Sequence, residues 1–197
     1  MNELNEIKKR IKDSIDTERS LLENENLLKE IQKAAEACIV AYNNGNKTIF
    51  AGNGGSAADA QHFAAEFVSK FYFDRPGLPS IALTANSSIS TAIGNDYGFS
   101  ELFVRQIQAF GVNGDVFFGI STSGNSENVV KAAPLCKEKG ILTIALTGLN
   151  PCKMDDFDIV IKVPSAETPR IQECQTLIGH IICGIVETAI FGHLNIK

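Results

Sequence analysis

The sequence lacks the features that mark several large classes of protein. Its 197 residues carry a net charge of −5 and contain no run of lysine and arginine that would make a basic face, so no nucleic-acid partner is expected, because phosphate contacts need clustered positive charge. The first residues include no apolar segment of the kind that directs secretion. No uninterrupted apolar run approaches the roughly 20 residues of a membrane span. These absences predict a protein without a nucleic-acid or membrane partner.

Cysteine is sparse, and its spacing gives no disulfide framework. The five cysteines (Cys38, Cys136, Cys152, Cys174 and Cys183) are scattered, and no two of them form a C-x-x-C pair. An odd number without a framework is typical of reduced thiols. We therefore expect a cytoplasmic protein.

What the sequence does contain is the composition of a folded domain. Hydrophobic residues make up 44% of the chain and charged residues 21%, which argues against disorder. The length suits one ordinary domain with a substantial core. Since no repeat, linker or low-complexity tract interrupts the chain, residues 1–197 are predicted to form a single domain.

Hydrophobic periodicity predicts a helical start followed by alternating strands and helices. The segment 1–45 is predicted to be helical, with Asn43-Asn44-Gly45 as its stop. Its amphipathic helices suit packing in an oligomer. Strands are predicted at 48–51, 80–83, 116–120, 142–146 and 159–163, with helices at about 57–71, 102–110, 126–139 and 170–191. This pattern predicts an α/β fold: a doubly wound, flavodoxin-like, parallel five-stranded sheet flanked by helices, which binds ligands at its carboxyl edge.

A glycine-rich stretch follows the first predicted strand. Gly52-Asn53-Gly54-Gly55-Ser56-Ala57 matches the dinucleotide pattern G-x-G-x-x-G/A, but the second strand ends in Leu83-Thr84-Ala85-Asn86, without the acidic residue that holds a ribose. The nucleotide loop G-x-x-x-x-G-K-[ST] is absent as well. Two interpretations remain open: a sterically tight turn, or a backbone cradle for polar oxygens to which Asn53 and Ser56 add side-chain contacts.

The loop after the third predicted strand is the most informative part of the chain. Ser121-Thr122-Ser123-Gly124-Asn125-Ser126 places four hydroxyl side chains and one glycine before a helix. A phosphate bound there receives hydroxyl and backbone hydrogen bonds together with the positive end of the helix dipole. The alternative is that Ser126 only caps the helix. Because capping accounts for one hydroxyl and not four, we favour a phosphate site.

Two helices carry candidate catalytic side chains. His62 and Glu66 stand four residues apart and share a helix face, while Gln172 and His180 are eight apart on the final helix. All four side chains are able to bind a metal or move protons. Our hypothesis is that Glu66 and His180 form a general acid–base pair acting on a carbonyl sugar. The alternative for His62 and Glu66 is a solvated surface pair.

At these residues the sequence resembles a known family. The Ser121–Ser126 loop resembles the phosphosugar-binding loop of the sugar isomerase (SIS) superfamily. Four further segments, together with His180, resemble the phosphoheptose isomerases within that superfamily: Gly52–Ser56, the Asp59…His62-Phe63…Glu66 helix, Gly94–Phe99 and Arg170-Ile171-Gln172-Glu173. The similarity runs from the N-terminal helices to His180 and is more specific than any single motif.

The resemblance implies an SIS domain that converts D-sedoheptulose 7-phosphate into D-glycero-D-manno-heptose 7-phosphate, a precursor of lipopolysaccharide or capsule. It implies proton transfer between C1 and C2 by Glu66 and His180 through an enediol, and a homotetramer with active sites between subunits. The implied zinc ligands are His62, Glu66, Gln172 and His180. The implied substrate contacts are Asn53, Gly54, Gly55, Ser56, Glu66, Asn95, Asp96, Ser121, Thr122, Ser123, Ser126 and Gln172.

The sequence departs from the family at three positions. Pro169 stands where an acidic residue is common, Gln175 where histidine is common and Lys70 where arginine is common, which leaves substrate detail open. The main alternative is a non-enzymatic SIS protein, either a sugar-phosphate sensor or a relative of the bacterial DnaA-binding initiation factor, but Glu66, His62 and His180 favour the enzyme. The segment before the first strand is too short and acidic for the DNA-binding domain of an SIS transcription regulator. Another sugar-phosphate isomerase of the superfamily is a further alternative.

Overall fold

A five-stranded parallel sheet forms the centre of the molecule. In the computed structural model, which describes residues 3–194, the strands are β1 (Thr48–Gly52), β2 (Ser80–Ala82), β3 (Val116–Ile120), β4 (Leu142–Thr147) and β5 (Ile159–Lys162). Their order is β2-β1-β3-β4-β5. The predicted doubly wound α/β fold is confirmed. β1 and β3 are buried at every position, as strands covered on both faces must be.

Seven α-helices surround the sheet in the described part of the chain. They are α1 (Glu3–Leu22), α2 (Glu25–Asn43), α3 (Gly55–Val68), α4 (Ser87–Asp96), α5 (Leu102–Phe110), α6 (Glu127–Glu138) and α7 (Thr168–Phe191). The helical segment predicted for residues 1–45 is two helices, apart from the first two residues, which lie outside the described range. Two predictions need correction. α3 ends three residues earlier than expected, and α4 was not predicted at all.

The helices form one layer on each face of the sheet. On one face α2, α3 and α7 pack around Phe50, Phe118 and Phe63. On the other face α5 and α6 pack around Phe103 and Phe117. Alternate residues of β1 and β3 therefore point into different cores, which is the period-two geometry of a strand.

The final helix, α7, combines an apolar composition with a buried face. The stretch Thr168–Leu194 has a mean hydropathy of 1.6, and by length and composition alone it is able to cross a membrane. Ile171, Ile178, Ile182 and Val186 are nevertheless buried in the core against α2, α3 and the sheet. Such burial is typical of the core helix of a compact domain.

The first helix, α1, is attached by polar contacts and buries little. Of its 20 residues only Leu21 is buried, whereas Ile7, Ile11 and Ile15 are 48–57% exposed along one face. Two hydrogen bonds join α1 to the start of α7: Arg170 donates to the carbonyl of Arg10 at 2.6 Å, and the Ser14 hydroxyl donates to Glu173 at 2.8 Å. The isoleucine face of α1 is therefore left open in the isolated chain.

Candidate active site

Two loops lie side by side at the carboxyl edge of the sheet. β1 and β3 are hydrogen-bonded neighbours, and Gly52 at the end of β1 stands opposite Ile120 at the end of β3. The glycine-rich loop and the serine loop (residues 121–126) therefore leave the sheet at the same level. This edge is where doubly wound folds bind their ligands.

The hydroxyl groups of the serine loop converge. The Oγ atoms of Ser121 and Ser126 are 2.8 Å apart, and those of Ser121 and Ser123 are 3.4 Å apart. Ser126 occupies the N-cap position of α6, but its side chain does not cap the helix. The N-terminal N–H groups of α6 thus have no side-chain cap from Ser126 and lie beside three hydroxyls. This arrangement suits a phosphate.

The segment that follows β4 supports the serine loop from behind. Gly124 has a φ of +63°, and a Cβ at this position would collide with Cys152 Sγ and Thr147 Oγ1. The backbone N–H of Met154 donates to the Gly124 carbonyl at 3.1 Å. In front of the loop is a cleft of about 210 Å³, lined among others by Thr122, Ser123, Gly148, Asn150, Ser165 and Thr168.

The glycine-rich loop offers its backbone more than its side chains. Gly54 has a φ of +57°, a conformation that favours glycine. The Asn53 carboxamide exchanges two hydrogen bonds with Asn128, at 2.8 and 2.9 Å, and Ser56 is only 4% exposed. The loop is therefore a tight turn, and its use as a cradle, with substrate contacts from Asn53 and Ser56, stays a prediction.

A second cluster joins α3 to α7. His62 Nε2 lies 2.9 Å from Glu66 Oε1 and 3.3 Å from His180 Nε2. One ligand atom from each of the three residues lies within 4.8 Å of the others. The side chain of His62 is 41% exposed and that of Glu66 23%. Because His180 joins them, His62 and Glu66 are more than a solvated surface pair.

Contacts between α3 and α7 set the geometry of this cluster. Gly179 lies against the ring of Phe63, where a Cβ would clash, and Gly55 lies against the Gln172 amide. The Thr176 hydroxyl donates to Asp59 Oδ1 at 3.1 Å. Burial raises the pKa of Asp59, although the Thr176 hydrogen bond and the nearby histidines oppose that shift.

The role of Thr176 was missed in the sequence, although a signal was present. Thr176 stands four residues after Gln172 and four before His180, so the three residues share a face of α7. Asp59 appeared in the sequence only as part of the α3 motif, without a role of its own. In the structure the hydrogen bond between Thr176 and Asp59 joins α7 to α3, about one helical turn from the cluster.

The donor set of the cluster fits a zinc ion. Two imidazole nitrogens and one carboxylate oxygen on a small, partly exposed surface are ligands that Zn²⁺ commonly takes. Gln172 contacts Gly55 about two turns before His180. Its place as a fourth ligand stays a prediction.

Asn95 and Asp96, in the described part of the chain, make no polar contact with either group. They are exposed at the end of α4, where the Asn95 amide donates to Asp96 Oδ1 at 2.8 Å. Within residues 3–194 no hydrogen bond or ion pair connects them to the serine loop or to the cluster. α4 buries none of its residues, so their predicted contact with the substrate stays a prediction.

The three departures from the family pattern have different surroundings. Lys70 is exposed just beyond α3, and Pro169 is exposed in the first turn of α7, a position that tolerates proline. Gln175 is fully buried. Its amide donates to the Leu146 carbonyl at 2.9 Å, and the same carbonyl accepts from the N–H of Ser121. Gln175 therefore supports the base of the serine loop.

Comparisons with known proteins agree with this geometry. Residues 13–148 match the family model described as SIS domain. The phosphoheptose isomerase of Aneurinibacillus thermoaerophilus is 61% identical over 186 residues, which cover 94% of each chain. The solved phosphoheptose isomerase from Francisella tularensis superposes with a TM-score of 0.91 at 36% identity, covering 95% of this chain and 100% of that one. That from Neisseria gonorrhoeae gives a TM-score of 0.87 at 39% identity, covering 94% and 98%.

Proposed function

The chain belongs to the SIS domain family and, within it, to the phosphoheptose isomerases, and from that membership we propose that it converts D-sedoheptulose 7-phosphate into D-glycero-D-manno-heptose 7-phosphate. The reaction exchanges a ketone at C2 for an aldehyde at C1 within one molecule. No group is transferred to a second substrate. The protein therefore has to hold the phosphate and move protons between two carbons and their oxygens.

The observation that carries this proposal is the cluster of His62, Glu66 and His180. A protein that only senses or binds a sugar phosphate needs the serine loop but no acid–base pair beside it. Gly55 and Gln172 touch near the start of α3 and α7, and the cluster lies about two turns further along both helices. Proton-transfer groups on these two helices are connected to the loops that would hold the phosphate.

In the proposed mechanism the serine loop binds and orients the substrate. The hydroxyls of Ser121, Ser123 and Ser126 and the open N–H groups of α6 hold the phosphate. The backbone of the glycine-rich loop faces the same edge and is available to the sugar hydroxyls. Fixing the phosphate aligns the far end of the sugar with the cluster. The reacting carbons are then held near the catalytic side chains, which lowers the entropic part of the activation barrier.

Glu66 and His180 then move the protons. Glu66 removes a proton from C1 while His180 donates one to the C2 oxygen, giving the 1,2-enediol. The protonated Glu66 returns its proton to C2, and the proton on the C1 oxygen leaves through His180, giving the aldose. A zinc ion held by His62, Glu66 and His180, with Gln172 as the expected fourth ligand, would supply polarisation of the sugar carbonyl.

A direct assay tests this function. D-Sedoheptulose 7-phosphate is added to the purified, zinc-loaded protein, and the sugar phosphates are followed by NMR. We expect signals of the aldoheptose 7-phosphate to appear. Unphosphorylated sedoheptulose at the same concentration should not be converted, because without a phosphate it lacks the group whose binding orients the sugar. Binding of the phosphorylated sugar without turnover would contradict the enzyme and favour a sugar-phosphate sensor or assembly factor.

We also propose that the protein is a homotetramer whose active sites are completed by neighbouring subunits. The open isoleucine face of α1 and the unburied helix α4, which carries Asn95 and Asp96, both support this assembly. Light scattering at micromolar concentration is expected to give four times the monomer mass. Ile11→Glu should lower that mass, whereas Lys12→Glu, next to it on α1, should not. A monomeric wild-type protein would refute the tetramer.

The remaining proposals concern the domain organisation, the cellular location and the destination of the product. We propose that residues 1–197 form one SIS domain, since α1 and α2 at one end and α7 at the other pack together on one face of the sheet. A cytoplasmic location is supported by the five free thiols. The proposed destination of the product, lipopolysaccharide or capsule, rests on the family resemblance.

A further inference from the structure

Asn128 is a buried side chain that connects the two loops of the candidate active site. It is the second residue of α6 and is 2% exposed. Its carboxamide faces that of Asn53 in the glycine-rich loop. Asn53 Nδ2 donates to Asn128 Oδ1 at 2.8 Å, and Asn128 Nδ2 donates to Asn53 Oδ1 at 2.9 Å.

This reciprocal pair links the side chains of two segments that are 75 residues apart. Asn53 follows β1, and Asn128 lies two residues beyond Ser126, the last residue of the serine loop. Each carboxamide both donates and accepts within the pair. Removing one of them leaves a donor and an acceptor of the other without partners in a largely buried position, which costs more than the bonds themselves contribute.

We propose that Asn128 is a positioning residue that fixes the distance between the glycine-rich loop and the serine loop. The inference rests on the proposed function, because it assumes that both loops act on one phosphorylated ligand. This role requires no contact between Asn128 and that ligand. Through Asn53 it holds the backbone N–H groups of one loop opposite the hydroxyls of the other, so a single anion meets both sets of donors.

The test uses inorganic phosphate as the probe and calorimetry as the readout. Asn128→Leu keeps the approximate size of the side chain and removes all of its hydrogen bonds. Loss of this positioning is expected to weaken phosphate binding by about tenfold, the effect of about one or two hydrogen bonds. Zn²⁺ affinity at the His62 cluster is expected to change by less than about twofold, because the contacts between α3 and α7 set that geometry.

Four further variants separate positioning from a general loss of stability. Asn53→Leu should weaken phosphate binding as much as Asn128→Leu, and the double variant should lose little more, since both changes break the same pair. Asn128→Asp keeps the bond donated by Asn53 and serves if the leucine variant does not fold. Asn46→Leu removes an amide that donates to the Asn113 carbonyl at the opposite edge of the sheet, and should leave phosphate binding unchanged.

The outcomes distinguish this inference from the proposed function. Equal phosphate affinity in the wild type and the Asn128 variants would overturn the positioning role alone, as would equal weakening by Asn46→Leu. Wild-type protein that binds phosphate with the expected sensitivity to Asn128 but isomerises no heptulose would overturn the enzyme and retain the positioning role. Wild-type protein that neither binds phosphate nor isomerises the heptulose 7-phosphate would refute both.

Discussion

Replacing Glu66 by glutamine is expected to lower kcat by about a thousandfold or more, because an amide of the same shape cannot accept a proton from carbon. The side chain lies 2.9 Å from His62 and is 23% exposed, so the substitution should leave the fold intact. The measurement is turnover of D-sedoheptulose 7-phosphate followed by NMR. In D₂O the variant should also fail to incorporate deuterium at C1 of the unreacted ketose.

A matched control and a metal analysis make the Glu66 result specific. Glu30→Gln removes a partly exposed carboxylate on α2 that pairs with Lys33, and it should retain wild-type turnover. If the Glu66 variant keeps its metal and loses turnover, the role in proton transfer is supported. Recovery of full turnover on adding excess Zn²⁺ would show that Glu66 acts as a ligand only and would contradict its role as the base.

The second large effect is expected from Glu187→Ala, which should lower the free energy of unfolding by about 3–5 kcal/mol. Glu187 Oε1 accepts from Arg75 Nε at 2.9 Å, and both side chains are at most 1% exposed. The same carboxylate accepts from the backbone N–H groups of Phe71 and Tyr72. Without it, the Arg75 guanidinium remains buried without its counter-charge. Denaturant unfolding at one fixed protein concentration measures the change.

Glu30→Ala is the matched control for this prediction, since it breaks an exposed ion pair on α2 and should cost less than about 1 kcal/mol. The buried pair is also connected to the cluster: Arg75 Nη2 donates to the Glu66 carbonyl at 2.8 Å, and the Phe71 ring lies 5.5 Å from that of His180. Glu187→Ala should therefore weaken Zn²⁺ binding as well. A loss of stability no larger than that of the control would refute the structural role of the pair.

The parts of the fold that sequence predicted are those with strong local signals. β3 was predicted at its exact bounds because its apolar run is too short for a helix and is flanked by the turn at Asn113-Gly114 and by the serine loop. α4 was missed because its apolar stripe is short, only Ile89, Ala92 and Ile93 among polar residues, and none of its residues is buried in the isolated chain. The Asn86 side chain caps α4 by accepting from the Ile89 N–H. One cap in a polar segment is too weak a signal to predict a helix.

The candidate site was predictable where its residues are close in sequence. Six consecutive residues form the serine loop, and the spacing of His62 and Glu66 follows from one helix. The contact of His62 with His180 depends instead on how α3 meets α7, which spacing within either helix does not determine. The pairs Asn53–Asn128 and Arg75–Glu187 join residues 75 and 112 positions apart. A single sequence carries no local signal for such pairs.

The placement of residues along α7 limits which insertions and deletions this helix can accept in evolution. Thr168 lines the cleft, Gln172 and His180 face α3, and Glu187 holds the segment that follows α3. Inserting or deleting one residue would rotate everything beyond it by about 100° and move it by about 1.5 Å along the axis. No such change between Thr168 and Glu187 keeps all these contacts. We therefore expect α7 to tolerate substitutions at its exposed positions but no changes of length, and differences in length among relatives to fall in the loops.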